Sequence, residues 1–250
     1  MKLALLSDIH ANIQALEACL AHARARGANR IALLGDLVGY GADPCAVMQH
    51  IMVLVEDGAL VIKGNHDDMA VNPPDRAVTV GESTAAWTHA QLDTTQRAFL
   101  AALPLLKQED SVLLVHASVD SPELWRYVYD QRAASLSLKA AESMPDVRYV
   151  FGGHVHMQTL YYRDDGPTLT RITPIPGMPI PLPARGQLLA TIGSVGQPRD
   201  GDSRAMYALL DTDAGELTFH RVPYDYEAAA DAIRRAGLPG YFADRLALGR

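Results

Sequence analysis

The amino-acid sequence predicts an α/β fold, and three observations carry that prediction. In the first half, short apolar runs alternate with helical periodicities. In the second half, strands follow one another through turns. Five apolar runs also end in Asp, Asn or His. Lys2–Leu6 runs into Ser7-Asp8-Ile9-His10, and Ile31–Leu34 into Gly35-Asp36. Leu60–Ile62 runs into Lys63-Gly64-Asn65-His66-Asp67, Val112–Val115 into His116, and Val147–Phe151 into Gly152-Gly153-His154-Val155-His156. Parallel sheets gather their chemistry where strands end. Polar cargo at five such exits describes a metal site assembled from strand ends.

Each element has its own justification. After His10, apolar Ile13, Leu16, Leu20 and Ala23 recur at helical spacing between Asn12 and Gly27, so Asn12–Arg26 reads as an amphipathic helix. Strand Ile31–Leu34 leads into a glycine-punctuated loop, Gly35 to Gly41. Asp43 followed by Pro44 is a helix start with proline at the first helical position, opening a helix to about Val55. Asp57-Gly58 turns the chain into the strand at Leu60. This β-α-β-α-β order calls for parallel strands with helices on the sheet faces. Residues 69–104 lack a strand pattern. Ser83–Leu92 reads as a helix, and Asp93-Thr94-Thr95-Gln96 as a capping box for another ending at Leu103. Leu105–Gln108 and Ser111–Val115 read as strands around a tight turn. A loop, residues 117–130, carries Trp125, Tyr127 and Tyr129 before a helix over Gln131–Ser143. Residues 69–104 and 117–143 are therefore expected as helical and loop insertions near the site mouth that could cap it. From Thr159 the pattern is strand and turn: a hairpin through Asp164-Asp165-Gly166, then five prolines in residues 173–186 that read as a stiff irregular loop. Strands at Gln187–Ile192, Ala205–Leu210 and Glu216–Val222 follow, and two short helices flank Gly237-Leu238-Pro239-Gly240. No boundary divides residues 1–250, which read as a single domain.

Composition bounds the function. A chain of 250 residues with 48% hydrophobic content can bury a full core. A net charge of −7 argues against long nucleic acid as a partner, whose phosphates demand clustered Lys and Arg. A small phosphorylated substrate remains open, because a metal site supplies local positive charge. Cys19 and Cys45 form no motif and read as reduced, buried thiols. The N-terminal run is too short for a signal peptide, and no apolar stretch reaches the ~20 residues of a membrane span. These features point to a soluble, cytoplasmic protein without membrane contact; the sequence is compatible with a homo-oligomer.

Of nine histidines, His22, His50, His89 and His220 sit in regular elements without polar company and read as surface or packing residues. The other five coincide with Asp8, Asp36, Asn65 and Asp67. Buried polar groups must be paired or ligate something. Mixed nitrogen and oxygen donors without thiolate favour first-row divalent metals (Mn, Fe, Co, Ni or Zn) over calcium. The donors exceed one tetrahedral site, so two adjacent ions fit best. Such pairs clamp the attacking and leaving oxygens of an in-line displacement.

Asp8-x-His10, Gly35-Asp36, Gly64-Asn65-His66-Asp67, His116 and Gly153-His154-x-His156 resemble the five motifs of the calcineurin-like metallophosphoesterases, in order and spacing. Gly193 to Arg199 and the tail through Gly237-Leu238-Pro239 are similar to a prokaryotic phosphodiesterase branch associated with diadenosine tetraphosphate hydrolysis. The resemblance implies a four-layer α-β-β-α sandwich of two mixed sheets. It implies that Asp8, His10 and His156 hold one metal, that Asn65, His116 and His154 hold the other, and that Asp36 bridges them. It further implies that His66 protonates the leaving oxygen with Asp67 fixing its orientation, that a metal-bridging hydroxide attacks, and that Asn65, His66 and Arg199 contact substrate. Two positions depart from the pattern: Ala117 stands where glycine is usual, and Thr191-Ile192 where Asn-Pro is common.

The function expected is therefore hydrolysis of a small phosphodiester, phosphomonoester or phosphoanhydride, with a nucleotide favoured and diadenosine tetraphosphate one candidate. Trp87, Trp125, Tyr127 and Tyr129 supply rings that could stack on a base, and the glycine-rich loop could use Arg199 to hold a second phosphate. The alternative is a non-catalytic scaffold of the same fold, against which the presence of His66 counts. A metal-dependent amide hydrolase ranks last, because its pattern lacks Gly-Asn-His-Asp.

Overall fold

The computed structural model describes every residue except Asp164, Asp165, Pro167 and Ala184. Its first β-α-β-α-β unit comprises β1 (Lys2–Leu6), α1 (Ile13–Ala25), β2 (Arg30–Leu34), α2 (Pro44–Glu56) and β3 (Leu60–Ile62), with the three strands parallel. Two elements follow the local chemistry closely. Asn12 caps α1 by accepting the Ala15 N–H at 3.0 Å, and α2 opens on Pro44. Next come α3 (Asn65–Val71), α4 (Ala85–Gln91) and α5 (Thr94–Ala102), the last closed by the Asp93–Gln96 capping box. The remaining elements are β4 (Leu106–Glu109), β5 (Val112–Val115), α6 (Gln131–Ala141), β6 (Tyr149–Gly152), β7 (Gln158–Arg163), β8 (Thr170–Ile172), β9 (Pro179–Pro181), β10 (Gln187–Ile192), β11 (Ala205–Asp211), β12 (Glu216–Val222), α7 (Tyr226–Arg235) and α8 (Gly240–Leu248).

The strands form two six-stranded mixed sheets, ordered β3-β2-β1-β11-β12-β9 and β4-β5-β6-β10-β7-β8. Alternation along β1 explains how they stack. Leu3 and Leu5 enter a core shared with Leu114, Phe151 and Ile192 of the other sheet, while Ala4 and Leu6 meet Leu16 and Leu20 of α1. Both faces are buried, so β1 reads as a continuous apolar run. On the far side, α6 covers the second sheet through Ala134, Leu138 and Ala141. This is the four-layer α-β-β-α sandwich. Of residues 117–143, α6 is thus an outer layer, and only the preceding loop lies near the strand ends.

Three expectations require correction. Helix α3 begins directly at Asn65, where the sequence suggested only the polar exit of a strand. Its signal was Asp67, whose carboxylate accepts the Gly64 N–H at 2.8 Å and closes the first turn. Within the proline-rich stretch, Pro179–Pro181 forms an edge strand on β12. Leu182 N–H donates to Gly215 O at 2.8 Å, which puts Ile180 on the bonding side. The two prolines therefore face outward, where a missing N–H breaks no ladder. Cys45 is exposed, its thiol reaching Gln91 O at 3.0 Å, whereas Cys19 is buried as expected. Strands β7 and β8 do pair antiparallel; two residues of the turn expected between them lie outside the described residues.

Candidate metal centre and its cleft

The exits of β1, β2, β3, β5 and β6 converge, and the backbone there is unusual. Asp8, His10, Asp36, His154 and His156 all have left-handed φ, at 53°, 50°, 51°, 64° and 61°. Each such non-glycine residue costs on the order of 1–3 kcal/mol and persists only where surrounding structure enforces it. Here the enforcing structure is close interlocking of loops. A Cβ at Gly64 would meet the backbone and carboxylate of Asp36, and one at Gly153 would meet Ser7 Oγ and the Asp8 carboxylate. Glycine is needed at both because another loop occupies that space.

Asp36 sits centrally. Its Oδ2 lies 3.3 Å from His116 Nε2 and 3.7 Å from His10 Nε2, while Oδ1 accepts the His66 N–H at 2.8 Å. Asp8 Oδ1 lies 3.0 Å from His156 Nε2, and its Oδ2 accepts the His154 N–H at 2.9 Å. Asp8, His10, Asp36 and His156 form one tight group of ligand-type atoms, and Asp36, His116 and His154 a second. Asp36 belongs to both.

Hydrogen bonds orient the rings. Nδ1 of His10, His116 and His156 lies 3.3, 2.7 and 2.6 Å from the carbonyl oxygens of Val38, Leu34 and Gln197. A carbonyl can only accept, so each Nδ1 carries the proton and each Nε2 lone pair turns inward. The Nε2 atoms of His10 and His156 then face one another at 3.1 Å. Among the described residues, four further buried atoms at the site lack a hydrogen-bond partner: Asp8 Oδ1, Asn65 Oδ1, His116 Nε2 and His154 Nε2. Orphaned buried polar atoms cost ~1–3 kcal/mol each. Converging lone pairs of nitrogen and oxygen are what a first-row divalent cation satisfies, so the residues present fit such ions.

The electrostatics add that a proton competes with any cation for the Nε2 lone pair of His116. Burial would raise the carboxyls of Asp36 and Asp8, but His116 beside the first and His156 beside the second bring both below the usual range. For His116, burial opposes protonation, yet Asp36 outweighs it and carries the imidazole up to about 10. His154 is pushed down to about 3, by burial and then by the charge of His116.

The expected site residues divide clearly. Asp8, His10, Asp36, His116, His154 and His156 come together, with Asn65 beside them on the cleft wall. His66 stands apart from the carboxylates; its ring lies 5.0 Å from His10, edge-on, and 4.3 Å from the Tyr40 ring. Asp67 does not hold the His66 ring. Its oxygens accept the N–H groups of Leu37, Val38 and Gly64, at 2.8, 3.2 and 2.8 Å, so it ties the β2 exit to α3. Arg199 approaches from the glycine-rich loop, its guanidinium carbon 5.7 Å from the Tyr40 ring centroid.

A cleft of about 370 Å³ opens onto this cluster, lined by Asn65, His66 and His154 with Thr79, Gly81 and Glu82 of the 69–104 segment and Trp125 and Tyr127 of the 117–130 loop. Tyr127 stacks on His154 at 3.9 Å, and Tyr129 stacks on Tyr127 at 4.9 Å. Both tyrosines are largely exposed, at 44% and 52%. Trp87 instead packs among α7 and α8 residues. Tyr40 went unnoticed in the sequence. Its signal was Gly39-Tyr40-Gly41: a Cβ at Gly39 would lie 2.6 Å from His66 Nδ1, and one at Gly41 would strike the His10 carbonyl. The two substitutions that departed from the motif pattern sit without strain. Ala117 has no left-handed φ that would demand glycine, and Thr191 Oγ1 donates to Met157 O at 2.9 Å.

Known proteins with this arrangement can now be compared. The calcineurin-like phosphoesterase superfamily domain matches residues 1–215. Uncharacterized protein MJ0912 of Methanocaldococcus jannaschii is 32% identical over 254 residues, covering 99% of this chain and 98% of that protein. The crystal structure of a metallophosphoesterase from Sphaerobacter thermophilus superimposes with a TM-score of 0.86 at 33% identity, covering 100% of this chain and 99% of the other. Hypothetical protein PH1004 from Pyrococcus horikoshii OT3 shares the fold, with a TM-score of 0.78 at 19% identity over 100% and 98% of the two chains. With motifs, fold and strand-end cluster in agreement, the chain belongs to the calcineurin-like phosphoesterase superfamily.

Proposed function

We propose that this protein is a hydrolase of small phosphorylated substrates that works with two divalent cations. One observation carries the reading: ligand-type atoms of six buried side chains form two tight groups that share Asp36, and three of those atoms, with Asn65 Oδ1, have no hydrogen-bond partner among the described residues. Asp8, His10 and His156 would hold one cation and Asn65, His116 and His154 the other, with Asp36 shared. When bound, such cations polarise a phosphoryl oxygen and lower the pKa of water from 15.7 towards about 7.

The chain's own groups supply the rest. The Nδ1–carbonyl bonds fix the imidazoles so that donors need not reorganise. His66, packed against Gly39 and Tyr40, would move a proton to the leaving oxygen. Asp67 serves it indirectly, by clamping the Leu37–Val38 turn to the start of α3. Arg199, over the ring of the cleft residue Tyr40, would hold phosphate charge. Exposed Tyr127, which lines the cleft, and Tyr129 stacked on it favour a planar ring, hence a nucleotide, with dinucleoside polyphosphates such as diadenosine tetraphosphate within the class. Among the described residues no helix is long and apolar enough to cross a membrane.

The test is hydrolysis of a panel of aryl phosphomonoesters, aryl phosphodiesters and nucleotides by Mn²⁺-loaded protein. Turnover abolished by chelation and restored by metal is expected. Full loading with no turnover of any phosphoester would instead favour the scaffold reading.

A further inference from the structure

From the loop between β2 and α2, Tyr40 brings a phenol into the cleft beside His66. Its backbone is strained: φ is left-handed, at 63°, which a non-glycine residue keeps only where neighbours enforce it, and such residues cluster at functional sites. The enforcement is visible. The Tyr40 N–H donates to Thr84 Oγ1 at 3.1 Å, and the ring packs 4.3 Å from His66, 4.6 Å from His10 and 5.0 Å from Phe242 of α8. Tyr40 is only 8% exposed. Packing alone would be met by phenylalanine; a hydroxyl in a nearly closed site calls for a polar partner.

Gly81 shows where the hydroxyl points. Its φ of −59° and ψ of −44° suit any residue, so conformation does not demand glycine there. Space does. A Cβ at Gly81 would stand 3.3 Å from Tyr40 Oη, 3.3 Å from His66 Cε1 and 3.5 Å from His66 Nε2. The phenol oxygen and that imidazole nitrogen therefore border one small opening. Tyr40, His66 and Gly81 all line the cleft, together with Asn65 and His154. Among the described residues no acceptor takes the phenol proton, and Arg199, whose guanidinium carbon lies 5.7 Å from the ring centroid, can only donate. A phenol keeps its proton at neutral pH. The opening thus offers a neutral donor beside an imidazole.

We propose that Tyr40 is a catalytic residue whose hydroxyl donates a hydrogen bond to a non-bridging oxygen of the phosphoryl group under attack. This rests on the phosphoesterase reading and deepens it. His66 serves the leaving oxygen, so its neighbour at the Gly81 opening falls to another oxygen of the same phosphoryl group. The phenol keeps its own proton throughout; the proton that goes to the leaving oxygen is that of His66. Charge in phosphoryl transfer is spread over the equatorial oxygens, and a donor already fixed there needs no reorganisation.

Tyr40→Phe removes the hydroxyl and keeps the ring between His66 and Phe242. In full-length, Mn²⁺-loaded protein, kcat/KM should fall about ten- to a hundredfold, up to the low end of what one such donor contributes, with metal content unchanged. The fall should be the same for the methyl and 4-nitrophenyl esters of one phosphate, because both carry the non-bridging oxygens. Unchanged kcat/KM overturns the proposal, and so does a loss confined to the methyl ester, which would put the hydroxyl at the leaving oxygen. Calorimetric titration of methylphosphonate into the same proteins needs no turnover, and Tyr40→Phe should bind it several-fold more weakly. Equal affinity, or no binding by the wild type, overturns the proposal. Should Tyr40→Phe fail to fold, Gly81→Ala, which puts a methyl group into the opening, takes its place: wild-type kcat/KM and wild-type affinity in that variant overturn the proposal. A wild type that cleaves neither ester would refute the phosphoesterase reading, while weaker methylphosphonate binding in Tyr40→Phe would still establish the hydroxyl's contact with a phosphoryl oxygen.

Discussion

Replacing His66 by alanine separates proton transfer from metal binding. Among the described residues the ring forms no ion pair with a carboxylate, and burial brings its pKa down to about 4, with Asp36 only partly offsetting that effect. At pH 7 such a group is protonated in roughly one molecule in a thousand, a cost of about 4 kcal/mol at ~1.36 kcal/mol per pKa unit. An incoming phosphate recovers part of this cost by placing negative charge beside the ring. General acid catalysis contributes ~10²–10⁴-fold, and the protonation cost places His66 towards the lower end, near ~10². The loss should therefore be about a hundredfold for an alkyl leaving group, which needs the proton, and only a few-fold for nitrophenolate, which does not. The assay compares kcat/KM of wild type and His66→Ala on methyl and 4-nitrophenyl esters of the same phosphate, alongside metal content. Equal losses on both esters, or loss of a metal from the variant, would refute the assignment.

Other perturbations have equally definite outcomes. Asn65→Ala removes a partnerless oxygen from one group of donors only, so elemental analysis should find bound metal falling from two ions per chain towards one. Gly153→Ala drives a methyl group into Ser7 and the Asp8 carboxylate; overpacking of this kind costs ~1–3 kcal/mol, read as a lower denaturation midpoint together with weakened metal binding. Arg199→Ala should raise KM for a nucleoside triphosphate more than for an aryl phosphate, as steady-state kinetics on the two substrates would reveal. His220, away from the cleft and stacked on Tyr207, is held at about 4 by burial and then by His22 and Arg26. Unfolding returns it to about 6.5, so the unfolded chain binds the extra proton between those values, and stability falls as pH drops from about 6.5 to 4. The loss stays below roughly 3 kcal/mol, because solvent screening reduces what the full shift would give. Urea titrations at pH 7 and 4.5 should show it in wild type and a smaller loss in His220→Phe, which keeps the stack.

Much of this was legible locally. A buried run such as Leu3–Leu6 ending in Asp8 and His10 announces both a central strand and its chemistry, because period, burial and polar exit all lie within ten residues. The Asn12 cap and the Asp93–Gln96 capping box are likewise settled by neighbours in sequence. What escaped depends on distant partners. That β1 pairs with β11 and faces Phe151 across a shared core follows from no local period; the two-sheet arrangement came from resemblance alone. Asp67 looked like a partner for adjacent His66, but three backbone N–H groups compete for it, two of them from the β2 exit. Tyr40 could not be linked to Phe242 from spacing, since α8 arrives from the far end of the chain. Pro179 and Pro181 argued against a strand until an edge position gave their missing N–H groups an outward direction.

Metal stoichiometry tests most directly whether Asp36 is shared by two cations. Wild-type protein and Asp36→Asn would be equilibrated at one low free Mn²⁺ concentration and analysed for bound metal. Two ions per chain in the wild type, with both occupancies reduced in the variant, is the result predicted. Undiminished double occupancy in Asp36→Asn, or a wild type that binds no more than one ion, would contradict it.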